Sequence, residues 1–316
     1  MISGEKILVT GASGLVGLQL AGYLARHNEV WGLARYVGAE ERGLNSYAGA
    51  QARSDVEAAG ITPVRGDLLS GDFAEVPEDF TYVVHLAHTR RGPDEFLTAI
   101  QANAVGAGRL LQHCRRAKAA LVVSSTAVYS PDQDVFHAFA ENDDMGRAWA
   151  PWAPTSPVSK VSLEAVARFC AEAFDLPVSV MRLSTCYGPR GGMPVHNMSQ
   201  VVAGETITTF ADPYPHSVIH FDDMCEQLEA LLDAASVPAN IINWCGDEVV
   251  TQREWCELAS RLSGKPYSLK VNPISGTPNG NVSDPGHRRS ITGPCKRSFA
   301  DAYAAIYDAR HGTEAP

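Results

Sequence analysis

Ile7-Leu8-Val9-Thr10-Gly11-Ala12-Ser13-Gly14-Leu15-Val16-Gly17 is the stretch on which the reading of this chain turns. Its apolar start predicts a buried strand over Lys6–Thr10, and a helix follows over Val16–His27. Between them stands GxxGxxG. The glycines permit a tight turn, close backbone approach to a pyrophosphate and tight packing of helix on strand. The start of the helix adds free N–H groups and the positive end of its dipole. Gly11, Ser13, Gly14, Leu15, Val16 and Gly17 are therefore candidate dinucleotide contacts.

Working outward, strands are predicted at Glu29–Ala34, Ile61–Arg65, Tyr82–Ala87, Ala120–Ser124 and Val178–Leu183. Helices are predicted over Phe96–Ala117 and Ser159–Phe174. Repeated βαβ units predict an α/β fold of Rossmann type, a doubly wound parallel sheet covered on both faces. The regularity fades after Tyr187, and Pro and Gly are frequent between Gly188 and Pro215. A strand–helix unit returns at Val218–Leu232, then a strand at Asn240–Cys245 and a helix over Gln252–Leu262. Asn272–Arg288 reads as loop. The predicted division is a dinucleotide-binding domain, residues 1–187 and 218–246, with a smaller, discontinuous C-terminal substrate lobe, residues 188–217 and 247–316. The second strand ends Leu33-Ala34-Arg35, where an NAD enzyme usually offers an acid. Arg35 suits a 2′-phosphate instead, so NADP(H) is the expected cofactor, with NAD(H) possible.

Lys and Arg number 26 against 36 Asp and Glu, a formal charge of −10. That argues against a nucleic-acid partner and, weakly, against an anionic membrane. An anionic small ligand remains compatible, because a local site can be basic on an acidic protein. The seven Cys include no CxxC pair, so neither a disulfide framework nor a metal site is expected. No run approaches the ~18 apolar residues of a membrane span. No signal peptide is recognised, and a cytoplasmic location is expected.

Further motifs make the chain resemble the extended branch of the short-chain dehydrogenase/reductases, the NAD-dependent epimerase/dehydratase family. Gly66-Asp67-Leu68 resembles its adenine-contacting turn, and His85-Leu86-Ala87-His88 the strand that passes beneath the cofactor. Asn103 resembles its helix asparagine. Val123-Ser124-Ser125-Thr126-Ala127-Val128-Tyr129 resembles the strand with the catalytic Ser. Arg182-Leu183-Ser184-Thr185-Cys186-Tyr187-Gly188-Pro189 and Ile219-His220-Phe221-Asp222-Asp223 resemble the later motifs. The resemblance implies cofactor contacts at Asp67, Leu68, Leu86, Ala87, His88, Ser124 and Lys160, and a homodimer built on the two long helices.

The family's catalytic pair is YxxxK, in which the Lys charge lowers the Tyr pKa and the Tyr exchanges a proton with substrate. The matching segment is Ser156-Pro157-Val158-Ser159-Lys160, so Lys160 is retained and Ser156 stands where Tyr belongs. Ser156 is either a catalytic hydroxyl or an N-cap. Ser125 and Thr126 are the other catalytic candidates. The missing proton donor could also be His88, His196, His216, a water or the substrate. Tyr129, Cys186, Arg190 and His216 are candidate substrate contacts. Arg288, Arg289 and Arg297 are alternatives for a phosphate, and Trp149, Trp152, Phe210 and Tyr214 for an apolar pocket. Thr126 and Ala127 replace the acid pair of the sugar dehydratases, which argues against that reaction.

Three functions follow as expectations. The first is an NADP(H)-dependent oxidoreductase acting on a carbonyl or alcohol of a small molecule, with a non-standard proton donor. The second is a nucleotide-sugar epimerase. The third is a non-catalytic dinucleotide-binding protein.

Overall fold

Alternate residues of the first strand, β1 (Lys6–Thr10), enter two different cores. Ile7 and Val9 pack on one face with Leu18, Leu20, Phe221 and Leu228. Leu8 packs on the other with Leu33, Val83, Leu110 and Leu163. A strand buried on both sides belongs inside a parallel sheet covered by helices. The computed structural model describes residues 2–36 and 53–312.

Among these residues the sheet holds β1, β2 (Glu29–Ala34), β3 (Thr62–Arg65), β4 (Tyr82–His85), β5 (Ala119–Ser125), β6 (Val178–Leu183) and, later in the chain, Asn240–Trp244. Its order, from one edge, is the Asn240–Trp244 strand, then β6, β5, β4, β1, β2 and β3, all parallel. The Rossmann-type architecture expected from the sequence is present. Helix α1 (Leu15–Leu24) and α2 (Arg53–Ala58) lie in the β1–β3 half.

The predicted helix over Phe96–Ala117 is interrupted. It comprises α3 (Phe96–Ile100), a π-helical segment at Gln101–Val105 and α4 (Gly106–His113). Helix α5 (Ser156–Phe174) starts one turn before the predicted Ser159. Proline fits there because the first turn of a helix needs no donor from it.

After β6 the chain crosses into a second sheet. Strand β7 (Thr185–Gly188) pairs with β8 (Gly191–Gly192) and with Pro215–His220. Between them lie α6 (Met193–Ala203) and β9 (Thr206–Thr209). Pro215–His220 is β10; it leads into α7 (Phe221–Asp233) and then β11 (Asn240–Trp244). Strand β12 (Glu248–Thr251) pairs antiparallel with β10, and α8 (Gln252–Ser263) and β13 (Ser268–Val271) follow. The chain closes with α9 (Gly286–Thr292), which starts inside the end of the predicted loop and runs past it, and α10 (Phe299–His311). A third core of Tyr187, Met198, Trp255, Phe299 and Tyr303 holds this part together. No helix of the described residues is long and apolar enough to cross a membrane.

Candidate active site

The order of strands reverses between β1 and β4: β2 and β3 lie to one side, β5 and β6 to the other. Such a reversal opens a crevice at the carboxyl ends of the strands, where ligands bind in sheets of this kind. The glycine loop leaves β1 there. Gly11 has a positive φ of 69°, and a Cβ on it would meet the Ala87 nitrogen at 2.9 Å. A Cβ on Gly17 would lie 2.1 Å from the Gly11 carbonyl oxygen. Both positions therefore require glycine. Gly14 caps α1 without a side chain, and no acid stands in the first turn. The loop and helix start thus keep room and positive potential for a pyrophosphate, so the residues present fit a dinucleotide.

The loop is tied to the segment after β4 by one hydroxyl. Thr10 Oγ1 accepts from the Leu86 and Ala87 amides at 3.2 and 3.1 Å and lies 2.9 Å from His85 Nδ1. With two donors on its oxygen, the hydroxyl proton points to His85, which places the His85 proton on Nε2. Burial pushes the His85 pKa down to about 3, so it is a neutral structural group.

The ends of β5 and β6 meet α5 through a buried ion pair. Arg182 Nη2 donates to Glu164 at 2.8 Å, and Ser124 Oγ donates to the same carboxylate at 2.6 Å. Lys160, 6% exposed, donates to the Val123 carbonyl at 2.6 Å. Burial lowers its pKa to about 8, opposed by the nearby Glu164 charge. Ser125, half-buried, accepts from the Ala127 amide at 3.1 Å. Thr126 donates to Asn281 at 2.5 Å, Asn281 to Thr185 at 3.0 Å, and Thr185 lies 2.8 Å from His216 Nδ1.

Ser156 does not act as an N-cap. The cap position belongs to Thr155, and Ser156 is the first residue of the helix. Its Oγ lies 2.9 Å from His88 Nε2. The segment after β4 is clamped around this contact. The Asn103 side chain holds the Thr89 backbone at both N–H (2.8 Å) and C=O (2.9 Å) and donates to Ser159. The Thr155 hydroxyl does the same for Arg91, at 3.3 and 3.2 Å. Asn103 lies at the middle of the π-helical segment. π-Bulges recur at functional sites.

The other expected residues are more scattered. Leu15, Val16 and Ser13 stay in the loop and first turn. Arg35 is half-buried just past β2. Asp67 accepts from the Leu69 amide at 2.9 Å in the turn after β3, and the Leu68 carbonyl presses on Gly106. Cys186 is half-buried on β7, and burial pushes its thiol up to about 12. Arg190 is exposed beyond β7, and His196 is exposed on α6. Two expected substrate contacts prove to be interior. Tyr129, 2% exposed, stacks on Phe139 and hydrogen-bonds Asn243 and Arg182. His216 is enclosed because β10 is flanked by β7 and β12; its pKa falls to about 3 by burial. Arg288 and Arg297 are ion-paired with Asp247 and Asp223, and Arg289 lies 3.9 Å from Asp247. Trp152 stacks on Phe210 with ring centroids 4.6 Å apart, and Trp149 is exposed, while Tyr214 is buried.

Sequence reasoning missed Asn281, Glu164 and Thr155. Only Glu164 left a sign, since Ser156, Lys160 and Glu164 repeat at i, i+4 and i+8 on one stripe of α5. No group of three or more metal-ligating side chains occurs among the described residues.

Comparison with known proteins agrees with this architecture. The profile of the NAD dependent epimerase/dehydratase family matches residues 7–246. The chain is 25% identical over 293 residues to an uncharacterized UDP-glucose epimerase of Bacillus subtilis (strain 168), covering 88% of this chain and 89% of that one. It is 30% identical over 204 residues to UDP-glucuronate 4-epimerase 3 of Arabidopsis thaliana, covering 60% of this chain but 44% of that longer protein. A Bacillus cereus UDP-glucuronic acid 4-epimerase, solved with UDP-glucuronic acid and NAD, superposes with a TM-score of 0.79. The two are 22% identical, and 98% of this chain and 100% of that one are covered.

Proposed function

This chain belongs to the NAD-dependent epimerase/dehydratase family, a family of enzymes, and from that premise we propose that it epimerises a nucleotide sugar with a nicotinamide dinucleotide held on the glycine loop. The observation that carries this reading is the shared crevice. The Gly11–Gly17 cradle and the clamped His85–His88 segment meet there, with buried Lys160 at the neighbouring end of β5. When bound, the nicotinamide supplies hydride acceptance and return. The chain's own part is to hold the pyrophosphate on the α1 N-terminus and to keep a cation at Lys160 beside the nicotinamide ribose. Ser125 polarises the reacting oxygen, and Ser156 stands at the place of proton exchange. Thr126 positions this strand end through Asn281 rather than touching substrate. Ser13, Gly14, Leu15, Val16, Asp67, Leu68, Leu86, Ala87 and Ser124 line the cofactor. Cys186 and Arg190 border the sugar nucleotide.

The dinucleotide is assigned to residues 1–187 and 218–246, and the sugar to residues 188–217 and 247–316. The relatives named above support UDP-sugars as the substrate class and NAD as the guest. Seven unpaired thiols suit a reducing, cytoplasmic setting. Exposed Leu97 and Phe169 on α3 and α5 suit a homodimer.

Arg35 favours a second reading, an NADP(H)-dependent carbonyl or alcohol oxidoreductase, because no acid follows β2 and a guanidinium grips a 2′-phosphate. Two measurements separate the readings. An epimerase converts UDP-glucose or UDP-glucuronic acid to its 4-epimer with no net change in cofactor. In the oxidoreductase, NADP(H) binds at least about tenfold more tightly than NAD(H), about 1.4 kcal/mol, and Arg35→Ala abolishes that preference. Equal affinities in the native protein remove the second reading.

A further inference from the structure

A serine hydroxyl at position 156 is by itself a poor carrier of protons; hydroxyl groups of this kind work when a base lies within hydrogen-bond reach. His88 meets that requirement. It stands 68 residues away in the chain, yet its Nε2 lies 2.9 Å from Ser156 Oγ. We propose that Ser156 and His88 form a two-residue proton relay, in which Ser156 exchanges the proton of the reacting sugar hydroxyl and His88 stores it. This deepens the epimerase reading and rests on it.

Three observations carry the pair. The first is its location. Ser156 is one helical turn before Lys160 on α5, and His88 follows β4 directly beyond the Ala87 backbone that Gly11 touches. Both residues thus border the crevice at the β1–β4 reversal. The second is the clamping of His88 from each side. The Leu86 and Ala87 amides are bound by Thr10, Thr89 by Asn103 and Arg91 by Thr155. Three separate side chains fix the backbone over six residues, and a proton-transfer group held this way loses little on reaching working geometry. The third is the state of the ring. His88 Nδ1 is buried without a hydrogen-bond partner. A buried polar atom of this kind commonly costs about 1–3 kcal/mol and calls for an explanation, such as a catalytic role.

The proton balance is closed within the pair. In the resting state His88 is neutral, with its proton on Nδ1 and the Nε2 lone pair accepting from the Ser156 hydroxyl. As the sugar hydroxyl is oxidised, its proton passes to Ser156 Oγ while the Ser156 proton passes to His88 Nε2, leaving an imidazolium. The C–H bond breaks with its electron pair, and the oxidant that receives it is the nicotinamide dinucleotide. Reduction of the carbonyl on its other face returns the proton by the same path. Burial and the positive charges of Lys160 and Arg90, with His85 nearby, hold the His88 pKa well below 6.5. The ring is therefore neutral at pH 7 with its Nε2 lone pair available, and the disfavoured imidazolium hands the proton back in the reduction step. Ser156 touches the substrate and is the catalytic residue; His88 acts through it.

Two measurements test the pair in the full-length protein. Ring 15N NMR of histidine-labelled protein at pH 7, without cofactor, should show His88 protonated on Nδ1 with Nε2 as acceptor. A proton on Nε2 overturns the relay whatever the activity. The second measurement is conversion of UDP-glucose with NAD. His88→Gln and Ser156→Ala should each lower kcat by about 10²–10³-fold, with KM and NAD affinity within about threefold of wild type. The double variant should be no slower than either single one, because the two act as a unit. The acid limb of kcat/KM, where His88 gains its proton, should vanish in His88→Ala/Ser156→Tyr, whose phenol carries the proton alone and restores turnover. Single variants with wild-type kcat overturn the proposal. A wild-type protein that epimerises no UDP-sugar sinks the epimerase reading instead, and the NMR tautomer then decides the pair.

Discussion

Lys160 shows how one residue can be costly and still present. Its ammonium is buried, with the Val123 carbonyl 2.6 Å away. Desolvation disfavours the charged form, so the folded protein releases the proton near pH 8, against 10.5 for a freely solvated lysine. The unfolded chain therefore binds more protons between those values, and folding stability contributed by this site rises with pH across that window. Below pH 8 both states are charged and the full burial penalty remains. Urea unfolding from pH 7 to 10.5 should show the native protein gaining stability relative to Lys160→Met as pH rises. A constant difference between the two proteins would mean that Lys160 is not desolvated as the geometry implies.

Helix α5 carries Ser156 and Lys160 on one stripe, and its anchor is the Glu164–Arg182 pair. Ser124, Tyr129, Met145 and the Glu141 carbonyl complete the shell around these two charges. Removing one partner leaves the other charge buried and uncompensated. Glu164→Ala should cost about 3–5 kcal/mol by chemical denaturation. Glu164→Gln should cost less, since it keeps the volume and an acceptor for Ser124. A loss under ~1 kcal/mol for the alanine variant would show that Arg182 finds water or another partner. This element also shows what sequence could and could not reveal. The YxxxK-like spacing of Ser156 and Lys160 is local, so it was legible. The sequence places the helix start a turn late because Ser156 and Pro157 together read as a boundary, whereas in the structure they are its first two residues. His88 was one of several proton-donor candidates, but its meeting with Ser156 has no periodic signature. Beside it, Asn103, on a π-helical segment that interrupts a helix expected to run unbroken, holds the next residue, Thr89, at both its N–H and its C=O.

At the scale of the molecule, the glycine loop and the parallel sheet were legible because both depend on short-range patterns, a glycine spacing and buried strands of β-branched residues. The second sheet was not, because its strands come from three separated stretches of chain. That is why His216 read as a substrate contact while it lies inside β10. Ser184 alone separates β6 from β7 where the chain first passes between the two sheets, and the Thr126–Asn281–Thr185–His216 chain ties the site to the second sheet. A ligand that spans the glycine cradle and this junction binds only the folded arrangement, and so must stabilise the whole molecule by mass action. NAD at 100 times its Kd should add about 2.7 kcal/mol, a rise in Tm of about 4 °C for a chain of this size. UDP-glucose added to the NAD complex should raise Tm again by a similar amount if the sugar nucleotide is held across both parts. Scanning calorimetry of the protein alone, with NAD, and with NAD plus UDP-glucose gives the two increments. An increment from NAD with none from any UDP-sugar would keep the dinucleotide site and discard the nucleotide-sugar substrate class.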